Sequence, residues 1–215
     1  MSILWMEVGV GEGMKEMKNW LFFVIMFSAS IGSAGTAQRC NRVETLPSGV
    51  DLRTGDVMLL GSESWRGRFI LALDRKSDYA HIGLVEVCSN NVFIIHADPD
   101  QNGVACDAIS DYLRSNIVSR LLLLRVDAAR GAANNAVKYA REQWRKKKPF
   151  DDTFRYGKGK GFYCTELVLR AYDSAGIKLL PDVKDGDRIF PSEVIKSDCV
   201  SKIAEWGGLN KLFGK

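Results

Sequence analysis

The residues best suited to chemistry are one cysteine and two histidines. Cys164 stands in the segment Phe162–Val168, and the chain has only two histidines, His81 and His96, both of which precede it. A thiol beside an imidazole can act as a nucleophile with its general base, and a second polar group can fix the orientation of that base. These residues therefore indicate a hydrolase or an acyl transferase.

The two histidines lie on the strands of a predicted hairpin. Two segments rich in β-branched residues, His81–Cys88 and Val92–His96, are joined by the sequence Ser-Asn-Asn, which is typical of a β-hairpin turn. With a two-residue turn, His96 pairs with either Gly83 or Val85. Both registers put the two imidazoles on one face of the sheet, whereas a slip of one residue separates them.

The cysteine opens a predicted helix, and this position suggests the roles of the three residues. A helix N-terminus and a protonated imidazole both stabilise a thiolate, so we expect a lowered pKa for Cys164. In this interpretation His81 is the general base and His96 orients it. Backbone N–H groups at the start of the helix can stabilise an oxyanion. Three further residues are candidates for substrate binding or for the oxyanion: Tyr163, Tyr156 and Thr165.

Other interpretations of the same residues remain open. A cysteine early in a helix is often a buried packing residue, which would leave a catalytically inactive binding module. A zinc site formed by Cys164, His81 and His96 is conceivable, but no CxxC or HxxxH spacing supports it. An acyltransferase or a lipid ester hydrolase would use the same residues on another substrate. We expect no metal and no cofactor.

The remaining patterns predict a single α+β domain. Apolar strands are predicted at Gly55–Gly61 and Arg120–Val126 besides the hairpin, and helices at Ala132–Lys147 and Cys164–Ala175. The strands are grouped before the second helix, so we expect a small antiparallel sheet with helices on one side and the cysteine helix packed against it. After Pro191, only a turn, a short helix and a loose end are predicted.

The first 37 residues have the pattern of a targeting segment. Lys15 and Lys18 precede the apolar run Trp20–Phe27, and small residues follow, which is the order found in a secretory signal peptide. The apolar run is shorter than the roughly 20 residues of a membrane span, and an uncleaved anchor is the alternative. We therefore expect a signal peptide at 1–37, one domain at 38–215, and export to the periplasm or cell envelope.

Composition and charge exclude several classes of protein. Hydrophobic residues make up 46% and charged residues 26% of the chain, as in ordinary globular proteins. Without residues 1–37 the chain carries a net charge of +5, which suits a protein close to an anionic cell wall or membrane. The basic cluster Arg145–Lys148 lacks the interleaved aromatic residues of a nucleic-acid site, so no nucleic-acid partner is expected.

The cysteine count bears on the redox state. The chain has five cysteines, and an odd number in an exported protein leaves one thiol unpaired, which would be the nucleophile. The other four allow three pairings. Of these we favour Cys88 with Cys106 and Cys40 with Cys199, and the alternative is that all five are reduced.

Three stretches together resemble a known enzyme family. They are Ser77–Val85, Lys148–Asp151 and Tyr163–Val168, and the resemblance extends from about Leu52 to Cys199. These stretches are similar to the YiiX-like group of the NlpC-type papain-like cysteine hydrolases. The order of the motifs is that of the circularly permuted branch, in which the histidine strands precede the cysteine helix.

The resemblance implies a fold, a site and a class of substrate. The fold is a circularly permuted papain-like (NlpC-type) fold with a small antiparallel sheet or half-barrel. Cys164 matches the nucleophile and His81 the general base, while the third polar residue falls on His96, where closer members carry Glu and other permuted relatives carry His. The implied reaction is hydrolysis of an amide bond in a peptide or acylated small molecule of the cell envelope.

Overall fold

A computed structural model describes residues 49–62, 64–115 and 118–207 of the chain. The predicted signal peptide at 1–37 lies outside the described residues. Among the residues that are described, we find no helix with the length and apolarity of a transmembrane span. The helices and strands follow in the order β1 (Val57–Ser62), α1 (Trp65–Leu73), β2 (His81–Cys88), β3 (Asn91–Asp98), β4 (Gly103–Ala108), α2 (Ile109–Ser115), β5 (Val118–Val126), α3 (Arg130–Arg145), α4 (Cys164–Ser174), α5 (Pro191–Ile195) and β6 (Val200–Gly207).

The strands form one antiparallel sheet in the order β4-β3-β2-β1-β5-β6. β1 lies inside the sheet between β2 and β5, and all of its residues are buried. A strand that is covered on both faces has a continuous apolar sequence, which explains the run Val-Met-Leu-Leu in β1. The predicted α+β class with an antiparallel sheet is confirmed.

The hairpin of β2 and β3 forms in one of the two predicted registers. Gly83 pairs with His96, and Cys88 pairs with Asn91, which leaves a two-residue turn that begins at Ser89. Ser89 has a φ of 54°, the left-handed conformation that tight hairpin turns require. Because directly opposed residues share a face, this register puts both histidines on the same face of the sheet, as predicted.

Two hydrophobic clusters lie on opposite faces of the sheet. One includes Val57 and Ile82 and packs against α3 and α4. The other includes Met58, Leu60 and, from α2, Tyr112. Successive strand residues point to opposite faces, which is why neighbours such as Val57 and Met58 join different clusters. Helices therefore lie on both faces, and the prediction that they lie on one side is wrong. The sequence of the short helix α2 contains no pattern that predicts which face of the sheet the helix covers.

α4 packs against the first cluster through its apolar side. Leu167 and Val168 are fully buried there, and α3 contributes Ala136 and Ala140 to the same cluster. Small side chains on α3 allow the two helices to approach closely. After α4, Gly176 has a φ of 81°, as is common for the residue that follows a helix. This packing fixes the direction in which the first turn of α4 points.

The strand β6 was not predicted. It pairs with β5 at the edge of the sheet, with Trp206 opposite Leu121 and Val200 opposite Val126. Most of its residues are exposed, and its polar and apolar residues do not alternate regularly. Its strand conformation therefore depends on backbone hydrogen bonds to β5, which leave no hydrophobic pattern in the sequence.

The four cysteines within the described residues are free thiols, namely Cys88, Cys106, Cys164 and Cys199. The favoured disulfide between Cys88 and Cys106 is therefore wrong, while Cys40, the favoured partner of Cys199, lies outside the described residues. The sulfur of Cys106 instead lies 3.8 Å from Nη2 of Arg141, and Arg141 also forms an ion pair with Glu86. Burial raises the pKa of Cys106 to about 11, so this thiol is protonated at neutral pH.

Candidate active site

Two imidazoles and a carboxylate form a hydrogen-bonded chain on one face of the sheet. Nε2 of His81 lies 2.9 Å from Nδ1 of His96, and Nε2 of His96 lies 3.0 Å from Oδ2 of Asp107. The three residues belong to the neighbouring strands β2, β3 and β4. The sheet therefore brings together the two histidines that the sequence predicted and adds a carboxylate to them.

The hydrogen-bond chain determines which ring nitrogens carry hydrogen. The hydrogen bond from His96 lowers the pKa of Asp107, and an ionised carboxylate only accepts, so Nε2 of His96 donates to it. In neutral His96, Nδ1 then has a lone pair and accepts from the Nε2–H of His81. Nδ1 of His81 is left with a lone pair, which makes it the nitrogen that can accept a proton.

Asp107 is a site residue that the sequence analysis missed. Its Oδ2 atom, which accepts from His96, also accepts a hydrogen bond of 2.7 Å from Nε2 of Gln101, and this second contact helps to hold the carboxylate in place. No motif or spacing in the sequence relates Asp107 to His96. The signal appears only in the register of β3 and β4, where Asp107 pairs with Ile94 and therefore shares a face with His96.

Tyr112, on α2, covers the pair of imidazoles. Its ring centroid lies 5.8 Å from that of His81 and 4.7 Å from that of His96. Tyr112 and His96 are fully buried, while His81 is half-buried. Burial lowers the pKa of His81 to about 3, a protonated His96 would act in the same direction, and the charge of Asp107 opposes them. His81 is therefore neutral at physiological pH and able to accept a proton.

Gly83 leaves the space that the imidazole of His96 occupies. A Cβ atom at this position would lie 2.6 Å from Cγ2 of Ile94 and 3.1 Å from Cβ of His96. The first distance is shorter than non-bonded carbon atoms tolerate. A glycine opposite His96 is thus a steric requirement of the site.

Cys164 is the first residue of α4, and its side chain is almost enclosed. The residue is 8% exposed, and its sulfur lies 4.0 Å from Oγ1 of Thr165. Burial raises the pKa of Cys164 to about 11, although hydrogen bonds from the Thr165 hydroxyl and from the backbone N–H groups of Thr165, Ile82 and Cys164 itself oppose this effect. The predicted lowering of the thiol pKa is therefore wrong, because the loss of hydration outweighs the helix N-terminus.

The thiol and the imidazoles approach the start of β2 from different faces of the sheet. Cys164 belongs to the cluster beneath α3 and α4, whereas Leu60, the partner of His81, belongs to the opposite cluster. The hydrogen bond from Ile82 puts the sulfur beside the residue that follows His81. Burial is the main cause that raises the pKa of Tyr112, and a negative charge on Cys164 would add to it. The thiol therefore lies close enough to the ring that covers the imidazoles to affect it.

No hydrogen bond joins the sulfur of Cys164 to either imidazole in the part of the chain that the structure describes; its side-chain partner is Thr165. Catalytic hydrogen bonds are often long or poorly aligned until a substrate binds. The catalytic roles of Cys164, His81 and His96 therefore stay predictions that rest on their placement.

The three residues predicted to assist the reaction lie in different surroundings. Thr165 contacts the thiol, as described above. Tyr163 is buried, with its ring centroid 5.9 Å from that of Phe154. Tyr156 packs beneath the guanidinium of Arg170, which lies 4.1 Å from its ring centroid and more than one turn beyond Cys164 in α4. The contacts place Thr165 at the thiol, while roles for the two tyrosines stay predictions.

The donor groups of the site do not fit a metal ion. Across residues 49–62, 64–115 and 118–207, no group of three or more His, Cys, Asp or Glu side chains is placed to hold a metal ion. The facing nitrogens of His81 and His96 share a hydrogen bond, and the second nitrogen of His96 forms a hydrogen bond with Asp107. These atoms therefore do not converge on a common point at which a metal ion could bind.

Comparison with known proteins identifies the family. A family model described as "permuted papain-like amidase enzyme, YaeF/YiiX, C92 family" matches residues 51–193. A crystal structure described as the metalloprotein YiiX from Escherichia coli O157:H7 is similar in fold, with a TM-score of 0.61 and 16% identity over 73% of this chain and 98% of that chain. No curated protein matches the sequence. The chain therefore belongs to the permuted papain-like amidase family and is a cysteine hydrolase.

Proposed function

We propose that the protein is an exported cysteine hydrolase that cleaves an amide bond in a cell-wall peptide or an N-acyl substrate. Cys164 is the nucleophile, His81 the general base and His96 the residue that orients the base. The observation that carries this proposal is the chain from His81 through His96 to Asp107. It leaves one imidazole nitrogen able to accept a proton, and the N–H of Ile82, the residue that follows His81, donates to the sulfur of Cys164.

The proposed reaction begins with a neutral thiol and a neutral imidazole. Nδ1 of His81 accepts the proton of Cys164 while the sulfur attacks the carbonyl carbon, and this forms a tetrahedral oxyanion. Backbone N–H groups at the start of α4 stabilise that oxygen. His81 then protonates the leaving amine, which produces an acyl-enzyme at Cys164. Water, deprotonated by His81, hydrolyses the thioester and restores the thiol.

Asp107 and His96 stabilise the imidazolium that forms during these steps. When His81 gains a proton, its Nε2–H still donates to His96, and His96 still donates to the ionised carboxylate of Asp107. A negative charge at the end of the chain favours positive charge on His81. This effect opposes the burial that keeps His81 neutral at rest.

A covalent intermediate is the direct test. Cell-wall peptide fragments and N-acyl amines are incubated with the wild-type protein, and intact mass is measured after rapid quenching. We expect an acyl adduct on Cys164, and a fall of at least about 10³-fold in turnover for Cys164→Ala. Cys88→Ala, which removes an exposed thiol, is the matched control and should keep full activity. Full turnover by Cys164→Ala would overturn the proposal.

A lipid ester hydrolase or acyltransferase on the same residues is the second candidate. The exposed apolar side chains of Phe69 and Leu73 on α1 favour it. Arg66 of the same helix forms an ion pair with Asp100, next to Gln101, which donates to Asp107. Matched acyl amides and acyl esters of equal chain length separate the two functions by their kcat/KM. If neither forms an adduct but one of them binds, the protein is a catalytically inactive binding module.

Export is proposed from the sequence of residues 15–37, in which two lysines, an apolar run and small residues follow in the order of a signal peptide. Expression of the full chain in a bacterium, followed by cell fractionation and N-terminal sequencing, tests it. We expect a shortened chain in the periplasm or outside the cell. An intact N-terminus on membrane-bound protein would indicate an uncleaved anchor instead.

A further inference from the structure

Glu166 is a buried carboxylate in the first turn of α4, two residues after Cys164. Its Oε1 atom accepts a hydrogen bond of 2.9 Å from N of Gly157, and Nε of Arg170 lies 3.5 Å from the same oxygen. The second oxygen, Oε2, is buried and has no hydrogen-bond partner among the described residues. A buried carboxylate with one oxygen unpaired is costly, so its presence at this position calls for a reason other than stability.

The start of α4 has no side-chain cap. Tyr163 occupies the cap position and its side chain makes no capping hydrogen bond. The N–H groups of Cys164 and Thr165 donate to the sulfur of Cys164 itself. A glutamate at the third helical position often reaches back to the N–H of the cap residue, whereas Glu166 accepts from Gly157, outside the helix. The N–H groups of the first turn therefore stay available to the thiol and to an oxyanion.

Gly157 belongs to the loop 151–161, which is held firmly at its base. N of Asp151 donates to O of Phe162 at 3.0 Å, and this bond joins the two ends of the loop. Asp151 is buried, and its Oδ1 atom accepts from N of Thr153 at 2.9 Å. A Cβ atom at Gly159 would lie 2.2 Å from Cγ of Asp151, so the loop backbone lies directly on this carboxylate. The loop is therefore a fixed point to which the helix start can be tied.

Phe154 packs the same loop against the residue that precedes the thiol. Its ring centroid lies 5.9 Å from that of Tyr163 and 5.7 Å from that of Phe150. Phe154 has a φ of 52°, a left-handed conformation that bulky side chains adopt only under constraint. Such strain persists where the surrounding contacts determine the conformation. The loop thus contacts α4 at Tyr163 and at Glu166, on both sides of Cys164 along the chain.

We propose that Glu166 is a positioning residue that holds the first turn of α4 in place of a helix cap. Through Gly157 its carboxylate ties the helix start to the loop 151–161, and this fixes the N–H groups of Cys164 and Thr165 where an oxyanion forms. A side-chain cap would occupy N–H groups of the same turn, which is the physical reason for an anchor outside the helix. The kinetic consequence rests on the proposed hydrolase, whereas the anchor itself can be measured without a substrate.

The pair Glu166→Met and Glu166→Gln tests the role in steady-state kinetics. The two new side chains are similar in length, but only glutamine keeps an oxygen that accepts from Gly157. We expect kcat of Glu166→Met to fall by about 10 to 100-fold with KM within about threefold, because the oxyanion forms only in the transition state. Glu166→Gln should keep kcat within about threefold of the wild type. Glu142→Met is the matched control, since Glu142 also pairs with a basic residue four positions later but is 51% exposed, and it should leave kcat unchanged.

Thermal unfolding distinguishes positioning from a merely structural role. Methionine replaces an incompletely paired buried charge with an apolar group, so Glu166→Met should unfold within about 4 °C of the wild type or above it. Lower kcat at that unchanged stability supports the proposal. Equal kcat of Glu166→Met and Glu166→Gln overturns it. A raised KM with unchanged kcat assigns Glu166 to substrate binding and also overturns it.

Amide hydrogen exchange, followed by NMR without substrate, separates the anchor from the hydrolase. Gly157 is exposed, so its N–H is protected in the wild type only if Glu166 accepts from it. We expect Glu166→Met to speed exchange at Gly157, Cys164 and Thr165 by at least about tenfold, and Glu166→Gln to preserve the slow rates. If Glu166→Met does not fold, the wild type decides: exchange at Gly157 as fast as in an unstructured peptide overturns the proposal. A wild type that turns over no substrate refutes the hydrolase and leaves the exchange result unchanged.

Discussion

His81 and His96 are joined ring to ring, with Nε2 of His81 at 2.9 Å from Nδ1 of His96 although 15 positions separate the two residues. Their ring planes are nearly perpendicular, at 84°. The direction of this hydrogen bond depends on Asp107, because the carboxylate forces His96 to donate through Nε2. A residue two strands away from the proposed base therefore decides which of its nitrogens accepts a proton.

Replacement of Asp107 by asparagine tests this dependence. The amide can donate to Nε2 of His96, which reverses the chain and puts the hydrogen of His81 on the wrong nitrogen. We expect kcat to fall by about 10² to 10⁴-fold while the protein stays folded. Measurement of kcat and KM against pH checks this, together with circular dichroism. Asp111→Asn, at an aspartate whose side chain is 63% exposed, should leave kcat unchanged. Activity of Asp107→Asn within twofold of the wild type contradicts the orienting role.

Alkylation of the thiols should reflect the raised pKa of Cys164. Its pKa is about 11 because it is buried, so the thiolate fraction is small at pH 7 and rises about tenfold with each pH unit up to that value. Peptide mapping after timed treatment with iodoacetamide gives the rate at each cysteine. We expect slow modification of Cys164 at pH 7 and steadily faster modification up to pH 10. The exposed Cys88 serves as an internal reference. A fast rate at Cys164 that does not change between pH 6 and 9 would indicate a preformed thiolate–imidazolium pair.

Stability should depend on pH through His81. Its pKa is about 3 in the folded protein and about 6.5 in the unfolded chain. Between these values the unfolded chain binds a proton that the folded protein does not. The free energy of unfolding is therefore highest above pH 6.5 and decreases as the pH falls, by at most about 1.4 kcal/mol per pH unit.

Urea unfolding at pH values from 4.5 to 8 measures that slope. The lower limit avoids most of the titration of carboxylates. The pKa of Asp107 is lowered in the folded protein, so protonation of this carboxylate in more acidic solution would also decrease the free energy of unfolding. His81→Gln should flatten the slope between pH 4.5 and 6.5, because glutamine does not titrate. Asp111→Asn should keep it. An unchanged slope in His81→Gln would show that His81 is not the source of the pH dependence.

Gly83→Ala should damage both stability and the site. The added methyl group meets Ile94 and His96, so we expect a loss of about 1–3 kcal/mol in the free energy of unfolding. We also expect lower kcat, because the collision displaces His96. Thermal unfolding and steady-state kinetics check the two effects. Gly131→Ala is the matched control, since a Cβ there meets no atom within 4 Å. It should be neutral or stabilise α3 by up to about 1 kcal/mol. Equal stability of the two variants contradicts the steric argument.

Local patterns in the sequence were sufficient for the elements that carry the site. The β-branched runs and the Ser-Asn-Asn turn predicted the hairpin and put His81 and His96 on one face. The apolar spacing after Cys164 and the glycine at 176 predicted α4 almost residue by residue. These features depend on neighbours along the chain, so the sequence contains them directly. The strand β6 depends on hydrogen bonds to β5 and left no such pattern.

The sequence by itself determined the antiparallel sheet, the cysteine at the start of a helix and the two imidazoles on one face. Only the tertiary structure decided that Asp107 ends their hydrogen-bond chain, that Tyr112 covers them, and that burial keeps the thiol protonated. Each of these depends on which distant residues share a face and how much water they exclude. Register across strands and burial between layers are properties of the folded packing, and local spacing does not encode them.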